Sequence, residues 1–323
     1  MAIAISGGVA ATHSDQFASL FALISAKFTI DKLTKILVEA FLLLPAVALV
    51  EVAVIGWRES SLRRLLFRRA ASSRTDILIY LAQELRLSKL LTLPFGFFSF
   101  SSIALVGNGV LATNLGIVRF TTITDPIAGC LAYFLLGNLA YYWIHRAQHS
   151  RLLWPLHRMH HSADEMTLLT AFRHNIFSET MFKFVQAIPL SLLMVPDDAI
   201  LIAGYVATLH TFLHHGNWTS DWGWFGRWVL VSPLHHRLHH SRNPDDHGTN
   251  FGTMLLWDHL FGTFRQPASK SFPLGVDEPA YRTTRGAMVM LVLEWLEAAG
   301  LAAKGIRGLA APLAWSRHGG ASS

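Results

Sequence analysis

The chain has little of what most soluble proteins rely on. Cys130 is its only cysteine in 323 residues. That excludes an internal disulfide and any metal site built from several cysteines. Charged residues make up 15%, against about 25% in a typical soluble domain. Apolar residues reach 52%, and mean hydropathy is +0.36. A soluble globule, a disordered chain and a disulfide-rich secreted domain all fit this composition poorly. The common catalytic signatures are absent too. There is no GxSxG elbow, no HExxH and no Walker A lysine motif. No GxGxxG fingerprint is present, so any reducing electrons must come from a separate protein or domain.

The net charge is +6, yet the basic residues do not form a nucleic-acid face. Six arginines fall between Arg58 and Arg74, flanked by apolar runs. This is the positive-inside pattern of a membrane protein, and nucleic acid is not an expected partner. The N-terminal residues lack the basic start and the unbroken apolar core of a signal peptide. Insertion through internal spans is therefore expected.

Residues 34–57 form a candidate membrane helix that carries Glu39, Pro45 and Glu51. Its two carboxylates need a buried or interfacial position, because each costs a few kcal/mol at the bilayer centre. Residues 76–88 read as an interfacial amphipathic helix, and Leu90 to Ala112 as a long apolar run. Ile127 to Ile144 is a further apolar segment that runs directly into His145. Residues 182–195 and 199–213 flank Pro196-Asp197-Asp198, a turn, and form a hairpin that is re-entrant or spans obliquely. Residues 214–273 read as a cap of short helices and loops. Its Trp-rich stretch, 218–228, fits an interfacial aromatic belt better than a lipid entrance. Residues 287–303 read as an amphipathic or core helix, and the C-terminal residues as frayed. Counting crossings from the Arg-rich loop places the histidine-rich segments on the cytoplasmic face. Lys27, Lys32 and Lys35 oppose that orientation for the first span.

What the chain does have is histidine: 17 residues, of which fifteen lie between His145 and His259. They cluster. His145 and His149 are spaced i, i+4, which brings both imidazoles to one helix face. His157, His160 and His161 also share a face, in a helix that Pro155 is well placed to open. His210 and His214 end the second half of the hairpin, with His215 next to them. His236, His239 and His240 repeat the spacing of the second cluster, with His235 before them. Unrelated surface histidines would not fall into four such clusters. Ten imidazoles exceed one coordination sphere, so the economical reading is a dinuclear site. Imidazole suits zinc, copper, iron and nickel, and residue type alone does not choose among them.

HRAQH, HRMHH, HTFLHH and HHRLHH, followed by NFG at 250–252 and WDHLFGT at 257–263, resemble the fatty acid hydroxylase/sterol desaturase superfamily. The resemblance covers about residues 127–265. It implies an all-α, integral-membrane helical bundle with a cytoplasmic histidine-rich helical cap. It divides the chain into N-terminal membrane and interfacial helices (1–126), a di-metal catalytic domain (127–265) and a C-terminal helix and tail (266–323). The family pattern carries over to His145, His149, His157, His160, His161, His210, His214, His236, His239 and His240 as ligands of two iron ions. Zinc is a possible substitute in purified protein. His215 and His235 would point elsewhere and support the ligands. His174, Asp258 and Asn250 are further supporting candidates. In the family His174 is often followed by Pro, where this chain has Asn175.

The implied activity is O2-dependent hydroxylation of a lipid C–H bond, on an acyl chain, a head group or a polycyclic lipid. The partners implied are the bilayer, the lipid substrate and a separate electron donor, such as a ferredoxin or a cytochrome with its reductase. The absence of a fused cytochrome-like domain leans towards a bacterial inner-membrane enzyme. Desaturation by the same site is the nearest alternative. A histidine-rich metal transporter is an alternative of another class, but transport calls for polar groups within the spans, whereas these histidines lie at helix ends.

Overall fold

The structure is a computed structural model that describes residues 38–67, 70–84, 121–175 and 193–304, with 178, 181–182, 185–186 and 190. The expected apolar run Leu90 to Ala112, most of the hairpin's first half and the frayed C-terminal residues lie outside the described residues. Met1–Leu43 and Leu44–Ser323 are two compact units. The described part of the first is a π-helical turn, Glu39–Leu43. All that follows concerns the second.

The described residues form helices joined by loops, with a parallel pairing of β1 (Thr121–Thr122) with β2 (Leu193–Met194) and an isolated antiparallel bridge between Ser241 and Leu274. An N-terminal group comprises α1 (Leu44–Ile55), α2 (Ser61–Phe67) and α3 (Ala71–Glu84). Next come α4 (Pro126–Gln148) and α5 (Trp154–His161), followed by a 3-10 turn, Leu168–Phe172. α6 (Asp197–His215) leads into the cap helices α7 (Gly223–Trp228), α8 (Pro233–His239) and α9 (Leu255–Leu260). α10 (Thr284–Ala303) closes the described chain.

Local sequence explains where these helices begin. The Asp125 side chain accepts from the Ala128 N–H at 2.7 Å, and Pro126 follows it. Ser232 and Pro233 open α8 in the same way, with Ser232 Oγ accepting from the His235 N–H at 3.3 Å. An N-cap oxygen satisfies an otherwise orphaned donor, and proline's fixed φ suits the first turn. Gly262, at φ +72°, takes the left-handed position just beyond α9.

α6 packs along α4, and α10 packs against α5. Their contacts place the histidine-bearing ends side by side. Ile79, Met159, Tyr281 and Ala287 form a buried cluster that joins α3, α5 and α10. Elsewhere the apolar surface faces outward. Leu131 of α4 is 58% exposed and Leu296 of α10 is 64% exposed, amid other exposed leucines, valines and isoleucines on both helices. Such a surface is favourable only when something apolar covers it. Both α4 and α10 are long and apolar enough to cross a membrane. The C-terminal helix is thus more than the core or amphipathic element expected of 287–303: one face packs on the cluster through Ala287, while Val289, Val292, Leu293 and Leu296 lie on the outside.

Two buried carboxylates tie the N-terminal helices to the rest. Glu51 of α1 accepts from the Ser61 N–H (2.6 Å), the Ser61 hydroxyl (2.7 Å) and the Asn217 N–H (2.6 Å). Asp76 was expected on an interfacial helix, yet it is fully buried in α3 and pairs with Arg173 at 2.9 Å. The guanidinium supplies the charge that makes this burial tolerable.

Candidate metal centre

Nine imidazoles converge in two groups. The first holds His145 and His149 from the end of α4, His157 and His161 from α5, and His239 from α8. The second holds His160 from α5, His215 from the end of α6, and His236 and His240 from α8 and its cap. Within each group one nitrogen per ring lies within 4.8 Å of the others. All but His149 are buried. The i, i+3, i+4 spacing of α5 and α8 splits each triplet between the groups.

The ring nitrogens face one another without carboxylates between them. His145 Nε2 lies 3.0 Å from His157 Nε2 and 3.0 Å from His239 Nε2. His157 Nε2 lies 3.2 Å from His161 Nε2. In the second group His236 Nε2 lies 3.0 Å from His215 Nε2 and 3.1 Å from His240 Nε2. Nitrogens held about 2.1 Å from one ion are separated by roughly 3.0 Å at right angles, or 3.4 Å in a tetrahedron. The observed spacings are therefore those of neighbouring ligands around one centre. His149 Nε2 and His160 Nδ1 are buried without a hydrogen-bond partner. Dry, unpaired lone pairs are costly unless something coordinates them. On both grounds the donor set fits two transition-metal ions.

The outer nitrogens fix the tautomers. Nδ1–H of His145 donates to the Phe251 carbonyl at 2.6 Å, that of His239 to Thr249 at 2.8 Å, and that of His215 to Thr211 at 2.8 Å. Each bond leaves Nε2 as a bare lone pair turned into its group and makes the imidazole a better donor. Burial, then the neighbouring imidazoles, hold His157, His160, His161, His236 and His240 well below the ordinary histidine pKa. Burial brings His239 down to about 4. All six are neutral near pH 7, the form that binds metal.

Of the ten residues expected as ligands, eight lie in the two groups. His210 and His214 do not. Nε2–H of His210 donates to the Val231 carbonyl at 2.9 Å. The His214 ring lies 4.3 Å from that of His236, and its Nδ1 is buried without a partner. His215, expected beside the site, sits inside the second group. The signal for it was the doublet His214-His215. Of the other three doublets, His160-His161 and His239-His240 each send one residue to each group, and His235-His236 sends only His236, to the second.

The remaining candidates support rather than join the groups. The His174 ring stacks on His160 with centroids 4.3 Å apart. His235 contacts Ser232 Oγ at 2.6 Å and Gln266 Oε1 at 3.1 Å and belongs to neither group. Asn250, at φ +54°, pairs with the backbone of Arg265 on both sides of its amide. Asp258 accepts from the N–H groups of Phe251 (2.8 Å) and Gly252 (2.7 Å) and from the Thr263 hydroxyl (2.7 Å). Burial pushes its carboxyl up against those three bonds. Asp258 thereby holds the loop whose carbonyl orients His145. A Cβ at Gly252 would meet Asp258 Oδ2 at 2.7 Å and the Met254 carbonyl oxygen at 2.5 Å, so only glycine fits there. Tyr142 of α4 donates to Thr263 Oγ1 at 3.0 Å, which couples the WDHLFGT segment to the helix bearing the first histidine pair.

Comparison with known proteins agrees with this architecture. Residues 130–263 match the fatty acid hydroxylase family. Similar proteins include alkylglycerol monooxygenase of Xenopus tropicalis, 32% identical over 45% of this chain and 32% of the relative. Another is the ornithine lipid hydroxylase OlsE of Rhizobium tropici, 33% identical over 42% of each. Lathosterol oxidase of Rattus norvegicus is 25% identical over 44% of this chain and 47% of the relative. The match thus spans about a third of the length of the alkylglycerol monooxygenases and under half of the other two. No solved structure matches the chain. Residues 130–263, the stretch that matches the fatty acid hydroxylase family, carry both histidine groups.

Proposed function

We infer that the protein is a membrane-embedded oxygenase that hydroxylates a C–H bond of a lipid, with residues 127–265 as its catalytic unit. The observation that carries this reading is the pair of buried all-imidazole groups, the first of them gathered at the end of α4, a membrane-length helix. The named activities of the relatives, all oxidations of lipids, support it. The balanced reaction converts R–H, O2, two electrons and two protons into R–OH and water. The electrons come from a separate donor, such as a ferredoxin or a cytochrome with its reductase.

Two iron ions held by the nine imidazoles would supply the O2 activation that removes hydrogen from an unactivated carbon. The chain's own residues do the rest. Carbonyls of Thr211, Thr249 and Phe251 aim the Nε2 lone pairs. Tyr142, Phe251 and Phe261 form an aromatic wall beside the first group, with the Tyr142 and Phe261 rings stacked at 5.1 Å. Apolar walls exclude water and so protect a reactive oxidant from quenching. Arg64, in α2 of the Arg-rich segment, lies 3.5 Å from Glu165, just after α5, so that segment and the histidine-bearing helix ends share one end of the molecule. By the positive-inside rule that end faces the cytoplasm.

The test is comparative lipidomics of cells expressing the chain or its His160→Ala/His239→Ala double variant. Lipids that gain one oxygen atom only with the unaltered chain are the expected result. Lipids that lose two hydrogens instead would mean desaturation. Identical lipid profiles would overturn the reading.

A further inference from the structure

A cavity of about 530 Å³ opens beside the first histidine group. That is within the range of small-molecule sites, roughly 300–1,000 Å³. Its inner wall is formed by His149, His161 and His239, and its outer wall includes Arg242, Asp277 and Glu278. His149 is the one member of its group that is only half-buried, so the cavity is where this group meets open space.

The charges of the outer wall are arranged unevenly. Arg242 donates to the Leu274 carbonyl at 2.8 Å, and its guanidinium lies 3.6 Å from the Asp277 carboxylate. Arg158 holds Glu278 at 3.2 Å and Glu297 at 2.7 Å. Each nearby cation is therefore already matched by a carboxylate. The acids are not used up: the Asp277 side chain is 81% exposed and that of Glu278 is 39% exposed. A carboxylate offers about four lone-pair sites. Such a wall accepts hydrogen bonds and has little to offer an anion.

We propose that this cavity binds the polar head of the lipid substrate, a head bearing O–H or N–H donors and no phosphate, with Asp277 and Glu278 accepting from it. The proposal rests on the lipid-oxidation reading and sharpens it. A head seated against His149, His161 and His239 brings its own carbons, or the first few of the attached chain, next to the first histidine group. Oxidation then falls near the head and not far along the chain.

The test uses the full chain in phosphatidylcholine nanodiscs, with Cys130→Ser removing the native thiol and Val276→Cys placing one on the cavity wall. The rate of labelling by a sulfonated maleimide is followed with 1,2-hexadecanediol, hexadecane or hexadecyl phosphate. At ten times its half-protecting concentration the diol should slow labelling about tenfold, as mass action requires. Hexadecane and hexadecyl phosphate should leave the rate unchanged. Asp277→Asn should raise the half-protecting concentration of the diol about tenfold, the scale of one hydrogen bond to a charged group. Pro279→Cys is the second labelling position should Val276→Cys fold poorly. No protection by the diol at either position, or equal protection by hexadecane or the phosphate, overturns the proposal. Protection does not require turnover, so a lipid profile unaltered by the chain would count against the oxygenase reading alone.

Discussion

Arg173 and Asp76 are an ion pair 2.9 Å apart with both side chains fully buried. The same guanidinium donates to the Met159 carbonyl at 3.2 Å and to Ser162 Oγ at 3.0 Å, at the C-terminal end of α5. Asp76 also accepts from the hydroxyls of Thr167 and Thr170. One pair thus locks α3 to the helix that serves both histidine groups. Arg173→Ala leaves a buried carboxylate without its cation and should cost about 3–5 kcal/mol. Thermal unfolding of the detergent-solubilised protein measures this. The Arg173→Met/Asp76→Leu double variant should recover most of the loss, because it leaves no unpaired charge.

Membership of the second group separates His215 from His210. His215→Ala should lower the metal content of the purified protein by at least one ion per chain, as read by elemental mass spectrometry. His210→Ala should retain the unaltered metal content. It should lower stability by about 1–3 kcal/mol, because the buried Val231 carbonyl loses its donor. Equal metal loss from both variants would restore the ligand set expected from the i, i+4 rule.

Asp258 acts on the metal centre through Phe251. Asp258→Asn keeps the shape but turns a donor towards backbone N–H groups. The loop carrying the Phe251 carbonyl then loses its anchor, and with it His145 loses its orientation. Metal affinity should fall about 10–100-fold, the usual cost of removing such support. The chelator concentration that strips half of the metal reports it.

The buried imidazoles make the metal-free protein acid-sensitive. An unfolded histidine titrates near 6.5. In the folded, metal-free chain His239 titrates at about 4, and His157, His160, His161, His236 and His240 stay well below 6.5. Between about pH 4 and 6.5 the unfolded chain binds more protons than the folded one, so stability falls as pH drops through that window. His239 alone contributes about 3 kcal/mol across it. The melting temperature of chelator-treated protein should be clearly lower at pH 5.5 than at pH 8. Equal values would count against neutral, buried rings.

Much of the centre was legible because helical spacing is local. HRMHH and HHRLHH each announce a helix with imidazoles on one face, and Pro155 and Pro233 mark where those helices open. The choice among His210, His214 and His215 was not local. The i, i+4 rule favours the first two. The outcome depends on the distant Val231 carbonyl occupying His210, and on Glu51 of α1 holding Asn217 just past the end of α6. The sequence allows Glu51 a buried position but puts Asp76 on an interfacial helix, because the partners of both, Ser61, Asn217 and Arg173, are fixed by tertiary packing. The outward face of α10 was missed for a related reason. A run of apolar residues reads the same whether it is covered by protein or by lipid.

α5 sends His157 and His161 to one group and His160 to the other, while α8 and its cap send His239 to the first and His236 and His240 to the second. Neither helix can rotate or fray without disturbing both groups. Were two ions held there, the first to bind would order much of the framework that the second needs, and the second would bind with less ordering left to accomplish. Loading would then be cooperative, because two short helices are interleaved between the two groups.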